Sequence, residues 1–238
     1  MINLQYGRIP VLNSLKEYQV NEIFISNSFN DKKILEHIER LNIKVTILSK
    51  NDLDKMVKGN HQGIIAMVKP FEYTPFETLQ NFLKRQQNPI VLLLDEIQDP
   101  QNFGAIIRSA DAFGVSGIII KKRNQVLVTP TVIKAATGAQ NYVKICQVPN
   151  LRDAIDKLKK IGFWIVATDA SAEQSANQLD YNFPVGLIIG SEGFGISSLL
   201  LKNADYIVKI PMSGNVNSLN ASVATGILLY EIRTKQIK

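Results

Sequence analysis

"IVLLLDEIQDPQNFGAIIRSADAFGVSGIIIK" (residues 90–121) is the stretch that decides the fold class. Its two ends, 90–95 and 117–121, are apolar without alternation, which is typical of strands buried on both faces. Between them, Phe103, Ile106 and Ala110 follow the spacing i, i+3, i+7 and form one helix face. A strand, a helix and a second strand in this order predict a parallel pair joined by a crossover helix.

The same pattern continues to the end of the chain. Further apolar runs occupy 142–146, 163–168, 186–190 and 206–210, and helical patterns separate most of them. We therefore expect an α/β fold in which a mostly parallel sheet has helices on both sides. Ligands of such sheets bind beyond the carboxyl ends of the strands, so the segments directly after strands are the candidates for chemistry.

The first part of the chain has its own alternation of strands and helices. Strand patterns lie at 22–26, 44–49 and 63–68, and a helical pattern covers 31–41. "KPFEYTPFE" (69–77) has two prolines and little periodicity, which indicates a linker. We expect the domains and the linker to divide as 1–72, 73–89 (linker and short helix) and 90–238.

Composition limits the function classes. The chain has 238 residues, 45% hydrophobic and without a run long enough to span a bilayer, and its N-terminus lacks a secretory pattern. We expect no membrane partner and a cytoplasmic location. One cysteine, Cys146, excludes an internal disulfide framework, and two distant histidines leave little material for a metal site, so we expect no metal. The net charge of +6 is spread over the chain and gives only weak support for a polyanionic partner, because many basic proteins bind no nucleic acid.

The turn and helix after the first strand carry the first candidate residues. Asp99 and Asn102 lie in the polar turn, and Arg108 projects nearly opposite the apolar helix face. Taken alone, Arg108 is an ordinary solvated side chain. Gly104 lets another group approach the first helical turn closely.

A glycine-rich turn, "GSEGFG" (190–195), follows the strand at 186–190. It does not match the G-x-G-x-x-G fingerprint, which disfavours a nucleotide-dependent oxidoreductase. Glu192 is either the acid of a helix start or a side chain directed at a ligand.

"MSGNVNSLNASVATGILLYEI" (212–232) is the third candidate segment. Ser218 is a possible N-cap with Asn220 in the first turn, but one cap does not explain why Asn215 and Asn217 crowd the same loop. The following helix is apolar on two sides, so we expect one side to meet the sheet and the other a second subunit.

Together, "NFGAIIRSADAFG", "LIIGSEGFGIS" and "IPMSGNVNSLNASVATGILLYE" resemble the three ordered motifs of the SpoU (TrmH-like) 2′-O-ribose RNA methyltransferases of the SPOUT superfamily. The resemblance covers residue 90 to the C-terminus. The first part is similar to a small domain related to ribosomal protein L30e. "HQGIIAMVKPFEY" (61–73) resembles the end of that domain in the bacterial enzyme that methylates a guanosine of 23S ribosomal RNA.

The resemblance implies an α/β SPOUT domain with a deep trefoil knot, preceded by a small L30e-like α/β domain that binds the RNA substrate. It implies S-adenosylmethionine as the cofactor, RNA as the substrate and a homodimer that shares the active site. The implied catalytic residues are Asn102, Arg108, Glu192, Ser218 and Asn220. The implied cofactor contacts are Thr168, Gly190, Ile210 and Leu219.

The predicted reaction is methyl transfer to a ribose 2′-OH, with a guanosine of 23S ribosomal RNA as the first candidate. A transfer RNA methyltransferase, a resistance methyltransferase acting on ribosomal RNA and a non-catalytic RNA-binding or assembly protein stay open. Arginine stays protonated in proteins, so we expect Arg108 to bind phosphate and stabilise the forming oxyanion. Either a water, or Arg108 after phosphate has altered its surroundings, removes the proton.

Overall fold

The computed structural model describes residues 3–16, 20–215 and 218–237. Asn217, which was counted in the polar loop of the third segment, lies outside these ranges. The chain divides into two compact units, Met1–Glu72 and Tyr73–Lys238.

The first unit is a small α/β fold. Its elements are β1 (Asn3–Tyr6), α1 (Arg8–Lys16), β2 (Val20–Ser26), α2 (Lys32–Arg40), β3 (Lys44–Leu48), α3 (Lys50–Met56) and β4 (Ile64–Val68). The strands form a sheet in the order β1–β4–β2–β3, in which only β2 and β3 pair in parallel among the described strands. Sequence patterns predicted β2, β3, β4 and α2. They missed β1, because four residues are too few to show a period.

The second unit carries a seven-stranded sheet. Its strands are β5 (Ile90–Asp95), β6 (Gly117–Lys121), β7 (Ile145–Val148), β8 (Trp164–Thr168), β9 (Gln174–Ser175), β10 (Val185–Gly190) and β11 (Tyr206–Lys209). Its helices are α4 (Phe76–Leu83), α5 (Pro100–Ala112), α6 (Pro130–Ala136), α7 (Leu151–Lys159), α8 (Ser198–Leu201) and α9 (Ala221–Gln236). The strand order is β7–β6–β5–β10–β8–β11–β9, and every pairing between these described strands is parallel.

Burial of the strands explains why they could be recognised in the amino-acid sequence. Residues 90–94 of β5 and 118–120 of β6 have no exposed surface, and continuous burial requires continuous apolar sequence. The strand predicted at 142–146 is the exception. Tyr142 follows a 3₁₀ turn (Ala139–Asn141) and is 79% exposed, so β7 begins only at Ile145 and extends to Val148.

Gly104 lies where α5 and α6 touch. A Cβ on Gly104 would lie 2.3 Å from the Cβ of Ala135 and 2.8 Å from the carbonyl oxygen of Val132. The group that approaches this first helical turn is therefore α6, and the close contact fixes how α5, which carries Asn102 and Arg108, sits on the sheet.

We expect Gly104→Ala to lower the free energy of unfolding by about 1–3 kcal/mol, the usual cost of overpacking. This loss opposes the gain of about 1 kcal/mol that alanine brings to a helix. Gly226→Ala in α9 is the matched control, because the nearest atom to its new Cβ is Ser109 Oγ at 3.8 Å. The control is expected to stabilise the protein slightly in urea unfolding. Equal effects of the two substitutions would contradict the packing explanation.

Candidate active site

The carboxyl ends of four neighbouring strands bring the candidate segments to one edge of the sheet. β10 lies between β5 and β8, and β11 follows on the other side of β8. Gly190 at the end of β10 pairs with Asp95 at the end of β5. Since all these strands are parallel, the loops that follow them lie side by side.

The turn after β10 folds back on the strand. The backbone N–H of Ser191 donates to the carbonyl of Gly195 (3.1 Å), and the N–H of Gly195 donates to the carbonyl of Ser191 (2.9 Å). A Cβ on Gly190 would lie 2.1 Å from the carbonyl carbon of Gly195, so no side chain fits there. The next helix, α8, begins only at Ser198. The interpretation of Glu192 as a helix-start acid is therefore wrong, and Glu192 lies on a tight turn.

Three polar side chains, one from each motif, form a hydrogen-bonded cluster. The Asn102 amide donates to Glu192 Oε1. The Asn220 amide donates to Glu192 Oε1 (2.7 Å) and to Asn102 Oδ1 (2.9 Å). Because a carboxylate only accepts, these bonds fix the orientation of both amides. The structure thus brings three of the five predicted catalytic residues into direct contact.

Asn220 also begins the last helix. Its Oδ1 accepts from the backbone N–H groups of Ser222 (2.9 Å) and Val223 (3.3 Å), so Asn220 is the N-cap of α9. The interpretation of Ser218 as the cap is wrong. Sequence reasoning missed Ser222, whose hydroxyl donates to Asn220 Oδ1 (2.6 Å). A serine two residues after an asparagine that precedes an apolar helix is the sequence signal that could have identified Ser222.

Arg108 and Ser218 lie outside this cluster of Asn102, Glu192 and Asn220. Arg108 is exposed on α5, and it makes no hydrogen bond or ion pair with any residue that the structure describes. It lies six residues after Asn102, about 9 Å further along the helix axis. Ser218 is exposed and lines a cavity at the same edge of the sheet. The structure therefore places Arg108 on the helix of the cluster but not in contact with it.

A cavity of about 430 Å³ opens where β8, β10 and β11 end. Such a volume suits a small organic ligand. The four predicted cofactor contacts line it, as do Glu192 and Ser218: they are Thr168, Gly190, Ile210 and Leu219. Asp169 also lines it and was not predicted. Hydrogen bonds from the hydroxyl and the backbone N–H of Ser171 lower the pKa of Asp169, so it is ionised at neutral pH.

A second cavity of about 270 Å³ adjoins the first. Asn102 lines only this one, and the two cavities share the following residues: Ser191, Glu192, Gly193, Phe194 and Ala221. The hydrogen-bonded pair of Asn102 and Glu192 therefore lies where the two cavities meet. This arrangement can hold two reactants against one set of polar groups.

A buried carboxylate holds the edge together. Asp95 is 3% exposed, and it accepts from the backbone N–H of Ser197 (2.9 Å) and from the ammonium of Lys121 (3.0 Å). Burial by itself lowers the pKa of Lys121, but its hydrogen bonds to Glu96 (2.7 Å) and Asp95 outweigh burial and leave that pKa raised. The sequence alone does not single out Asp95, because one acidic residue at a strand end does not reveal its partners.

No helix in the ranges 3–16, 20–215 and 218–237 has the length and apolar character needed to cross a bilayer. The same ranges contain no group of three or more His, Cys, Asp or Glu side chains placed to hold a metal ion.

Comparison with known proteins decides the family. The profile of the SpoU rRNA Methylase family matches residues 89–230. The chain belongs to this family. The profile for RNA 2′-O ribose methyltransferase substrate binding matches residues 4–74 of the same SpoU chain.

Relatives agree with the assignment. A Bacillus subtilis protein, YacO, named as a TrmH family tRNA/rRNA methyltransferase, is 41% identical over 206 residues, which are 86% of this SpoU chain and 83% of YacO. The AdoMet-bound rRNA methyltransferase of Sinorhizobium meliloti is 26% identical with a TM-score of 0.70, over 97% of this chain and 86% of that one. The A. aeolicus TrmH/SpoU tRNA modifying enzyme is 32% identical with a TM-score of 0.57, over 68% of this chain and 82% of that one.

These findings confirm the predicted family, the α/β fold class with its mostly parallel sheet, and the enzyme class of RNA methyltransferase. They also confirm S-adenosylmethionine as the cofactor of the family. The trefoil knot, the roles of the site residues and the boundaries of the domains stay predictions.

Proposed function

We propose that this SpoU chain transfers a methyl group from S-adenosylmethionine to a ribose 2′-OH of RNA, with a guanosine of 23S ribosomal RNA as the first candidate. The observation that carries the proposal is the polar cluster of Asn102, Glu192 and Asn220 at the junction of two cavities. One cavity suits the cofactor, and the other suits the ribose.

The larger cavity fits the cofactor in its chemistry. Its walls include the apolar side chains of Ile189, Ile196 and Val208, which suit a purine ring, and the ionised Asp169, which suits a hydroxyl or an ammonium group. S-adenosylmethionine, when bound, supplies an activated methyl group on a sulfonium that is itself the leaving group. Gly190, Ile210 and Leu219 are proposed to offer backbone groups to it, and Thr168 a side chain.

The protein must then hold the ribose and handle one proton. We assign the orientation of the ribose hydroxyl to Asn102, Glu192, Ser218 and Asn220. Arg108, which is free among the described residues, is proposed to bind an RNA phosphate and stabilise the forming oxyanion. As an always-protonated donor, it suits these tasks better than that of a base, and the proton of the 2′-OH is proposed to pass to a water.

Asn220→Ser is expected to separate the two tasks of Asn220. Serine is a good N-cap, so the free energy of unfolding should change by less than about 1 kcal/mol. Serine lacks the amide that donates to Glu192 and Asn102. The rate of methylation should therefore fall by at least about tenfold, which is the effect expected from the loss of one well-placed polar group. Asn220→Ala, which also removes the cap, should cost about 1 kcal/mol more. Unfolding in urea and a radiolabelled methylation assay measure the two effects, and full activity of Asn220→Ser would refute the role.

Ribosomal RNA is favoured over transfer RNA by the first unit. The ribosomal RNA methyltransferase of S. meliloti matches 97% of this chain, whereas the transfer RNA modifying enzyme of A. aeolicus matches 68%. A unit that matches a substrate-binding profile suits a large structured RNA. Transfer RNA is the second candidate, because YacO is named for both substrates. Either substrate implies action in the cytoplasm.

A homodimer is proposed on the basis of α9. Leu228 and Ile232 are buried against the unit, but Val223, Ile227 and Tyr230 are exposed by 50%, 38% and 58%. An apolar face of this kind on a helix next to the site suits a second copy of the chain.

Ile227→Glu is expected to convert the dimer into a monomer in sedimentation velocity, because a charge replaces an apolar side chain at the proposed interface. Tyr142→Glu, which replaces an exposed aromatic residue after the turn that precedes β7, should leave the dimer intact. A monomeric wild-type protein would exclude this assembly.

The proposed function is tested by incubating unmodified 23S ribosomal RNA and unmodified transfer RNA with the protein and S-adenosylmethionine labelled in its methyl group. Mapping of the labelled nucleotide identifies the substrate, and resistance of that linkage to alkali identifies the 2′-oxygen. Label in a base would refute ribose methylation, and label in neither RNA would refute the proposed reaction. Cofactor binding without any transfer would favour an RNA-binding or assembly role.

A further inference from the structure

The first unit contains a cavity that the proposed reaction does not use. Its volume is about 490 Å³, and it opens at one end of the four-stranded sheet, between the start of α1, the end of β2 and the segment before β4. The match to a substrate-binding profile covers this unit but points to no surface of it. The residues of the cavity identify the chemistry that it can take.

The floor of the cavity is a fixed histidine. His61 is 4% exposed, and its Nδ1 accepts from the backbone N–H of Gly63 (3.0 Å). The ring proton is therefore on Nε2, which donates to Asp54 Oδ1 (3.0 Å). These two bonds fix the His61 ring, whereas the Asp54 side chain is 53% exposed and its other carboxylate oxygen has no partner among the described residues.

The remaining polar groups of the cavity are mainly hydrogen-bond donors. Asn60 Oδ1 accepts from the backbone N–H of Gln62 (3.2 Å), and Gln62 Oε1 accepts from the backbone N–H of Arg8 (2.9 Å). Each acceptor oxygen is thus occupied, and both amide NH₂ groups lack a partner among the described residues. These two amide groups therefore favour a ligand that offers acceptors.

Positive charge and an aromatic ring complete the lining. Lys50 makes no ion pair with any described residue, and Arg8 has only a loose contact with Asp31 (3.7 Å), which contributes little. The Arg8 guanidinium lies over the ring of Phe29, 5.6 Å from its centroid. A guanidinium and an aromatic ring are the usual stacking partners of an unpaired base, and basic side chains are those of its phosphate.

We propose that this cavity binds one unpaired nucleotide of the RNA substrate, with its phosphate on Lys50 and Arg8 and its base against Arg8 and Phe29. The acceptor atoms of the base meet the amides of Asn60 and Gln62. The inference rests on the proposed function, since it takes the RNA that is methylated as the ligand. The cavity then contributes to target choice through a nucleotide that is extruded from its helix.

The test uses the full chain and in vitro transcribed 23S ribosomal RNA in a filter-binding assay over about 50–200 mM salt, where phosphate contacts are most visible. Arg8→Gln/Lys50→Gln is expected to weaken RNA binding at least tenfold and to reduce the salt slope by about one to two. Lys16→Gln/Arg40→Gln is the matched control. It removes the same charge from the far ends of α1 and α2, about 12 Å from their first residues. The control should change binding less than twofold.

Two additional measurements separate the possible outcomes. Affinity for S-adenosylmethionine, measured by calorimetry, should be equal in all variants, which shows that the second unit is intact. RNA containing 4-thiouridine should crosslink to the peptide with Phe29 in the wild type, and less in the double variant. Equal RNA affinity of the double variant and the control would overturn the proposal. The proposal would also be overturned if GMP or inorganic phosphate bound in the cavity and the affinity for RNA stayed the same.

Failure of this inference and failure of the proposed function are distinguishable. If the wild-type protein methylates RNA and the double variant binds RNA as tightly as the wild type, only the proposal about the cavity is refuted. A wild-type protein that binds RNA through the cavity but transfers no methyl group refutes the reaction alone.

Discussion

Arg108→Ala is expected to lower the rate of methyl transfer by at least about 10²-fold, the usual effect of removing a donor that stabilises a forming oxyanion. Arg108 is exposed on α5 and has no partner among the described residues. Its loss should therefore change the free energy of unfolding by less than about 0.5 kcal/mol. It also lies outside the lining of the 430 Å³ cavity, so affinity for S-adenosylmethionine should stay within about twofold. Single-turnover methylation and calorimetry measure these quantities.

Arg85→Ala is the control for the loss of one exposed arginine. Arg85 precedes β5 and so lies at the opposite edge of the sheet, away from the carboxyl ends. The Arg85→Ala protein should methylate RNA at the wild-type rate. If Arg108→Ala also retains near-normal activity, the phosphate and oxyanion roles of Arg108 are wrong, and the reaction depends on the cluster of Asn102, Glu192 and Asn220 alone. Rescue by Arg108→Lys would indicate that charge suffices, whereas no rescue would indicate that the planar guanidinium is required.

Gly190→Ala is expected to disrupt the cofactor cavity. The added methyl group would lie 2.1–2.4 Å from the backbone of Gly195 and Ile196, and backbone atoms cannot rotate away as a flexible side chain can. The turn that carries Glu192 must shift. We expect affinity for S-adenosylmethionine to fall at least tenfold and the free energy of unfolding to fall by about 1–3 kcal/mol.

Gly226→Ala makes the same chemical change in α9. Gly226 lines neither cavity of the site, and the nearest atom to its new Cβ is Ser109 Oγ at 3.8 Å. Cofactor affinity should therefore change less than twofold. Calorimetry on both variants, with urea unfolding as a check on folding, compares them directly. Unchanged cofactor affinity in a folded Gly190→Ala protein would show that the turn is not part of the cofactor site.

The sequence predicted the parts of this molecule that depend on local pattern. Continuous apolar runs identified the central strands, because residues buried on both faces must all be apolar. The runs at 90–95 and 117–121 correspond to β5 and β6 residue for residue. The run at 142–146 did not, since the same apolar pattern covers a turn around Tyr142 and the start of β7. The apolar pattern alone does not distinguish the turn from the strand.

The candidate site was predictable in its members but not in its connections. Asn102, Glu192 and Asn220 were identified by motif, yet their hydrogen bonds join residues up to 118 positions apart. Those bonds exist because β10 inserts between β5 and β8, and no local signal specifies that order. The cap of α9 shows the same limit. Ser218 and Asn220 are both good caps in sequence, and only the contacts of Asn220 with Glu192 and the first turn of α9 decide between them.

The sequence by itself thus determined the α/β class, the positions of the motifs after strands and the types of side chain that the reaction needs. Tertiary structure alone decided that Gly104 meets α6, that Asp95 joins β5 to the segment before α8, and that two cavities meet at Asn102 and Glu192. The reason is physical. Periodicity records whether a side chain is buried, whereas a partner in space is selected by packing and hydrogen bonding across the whole sheet.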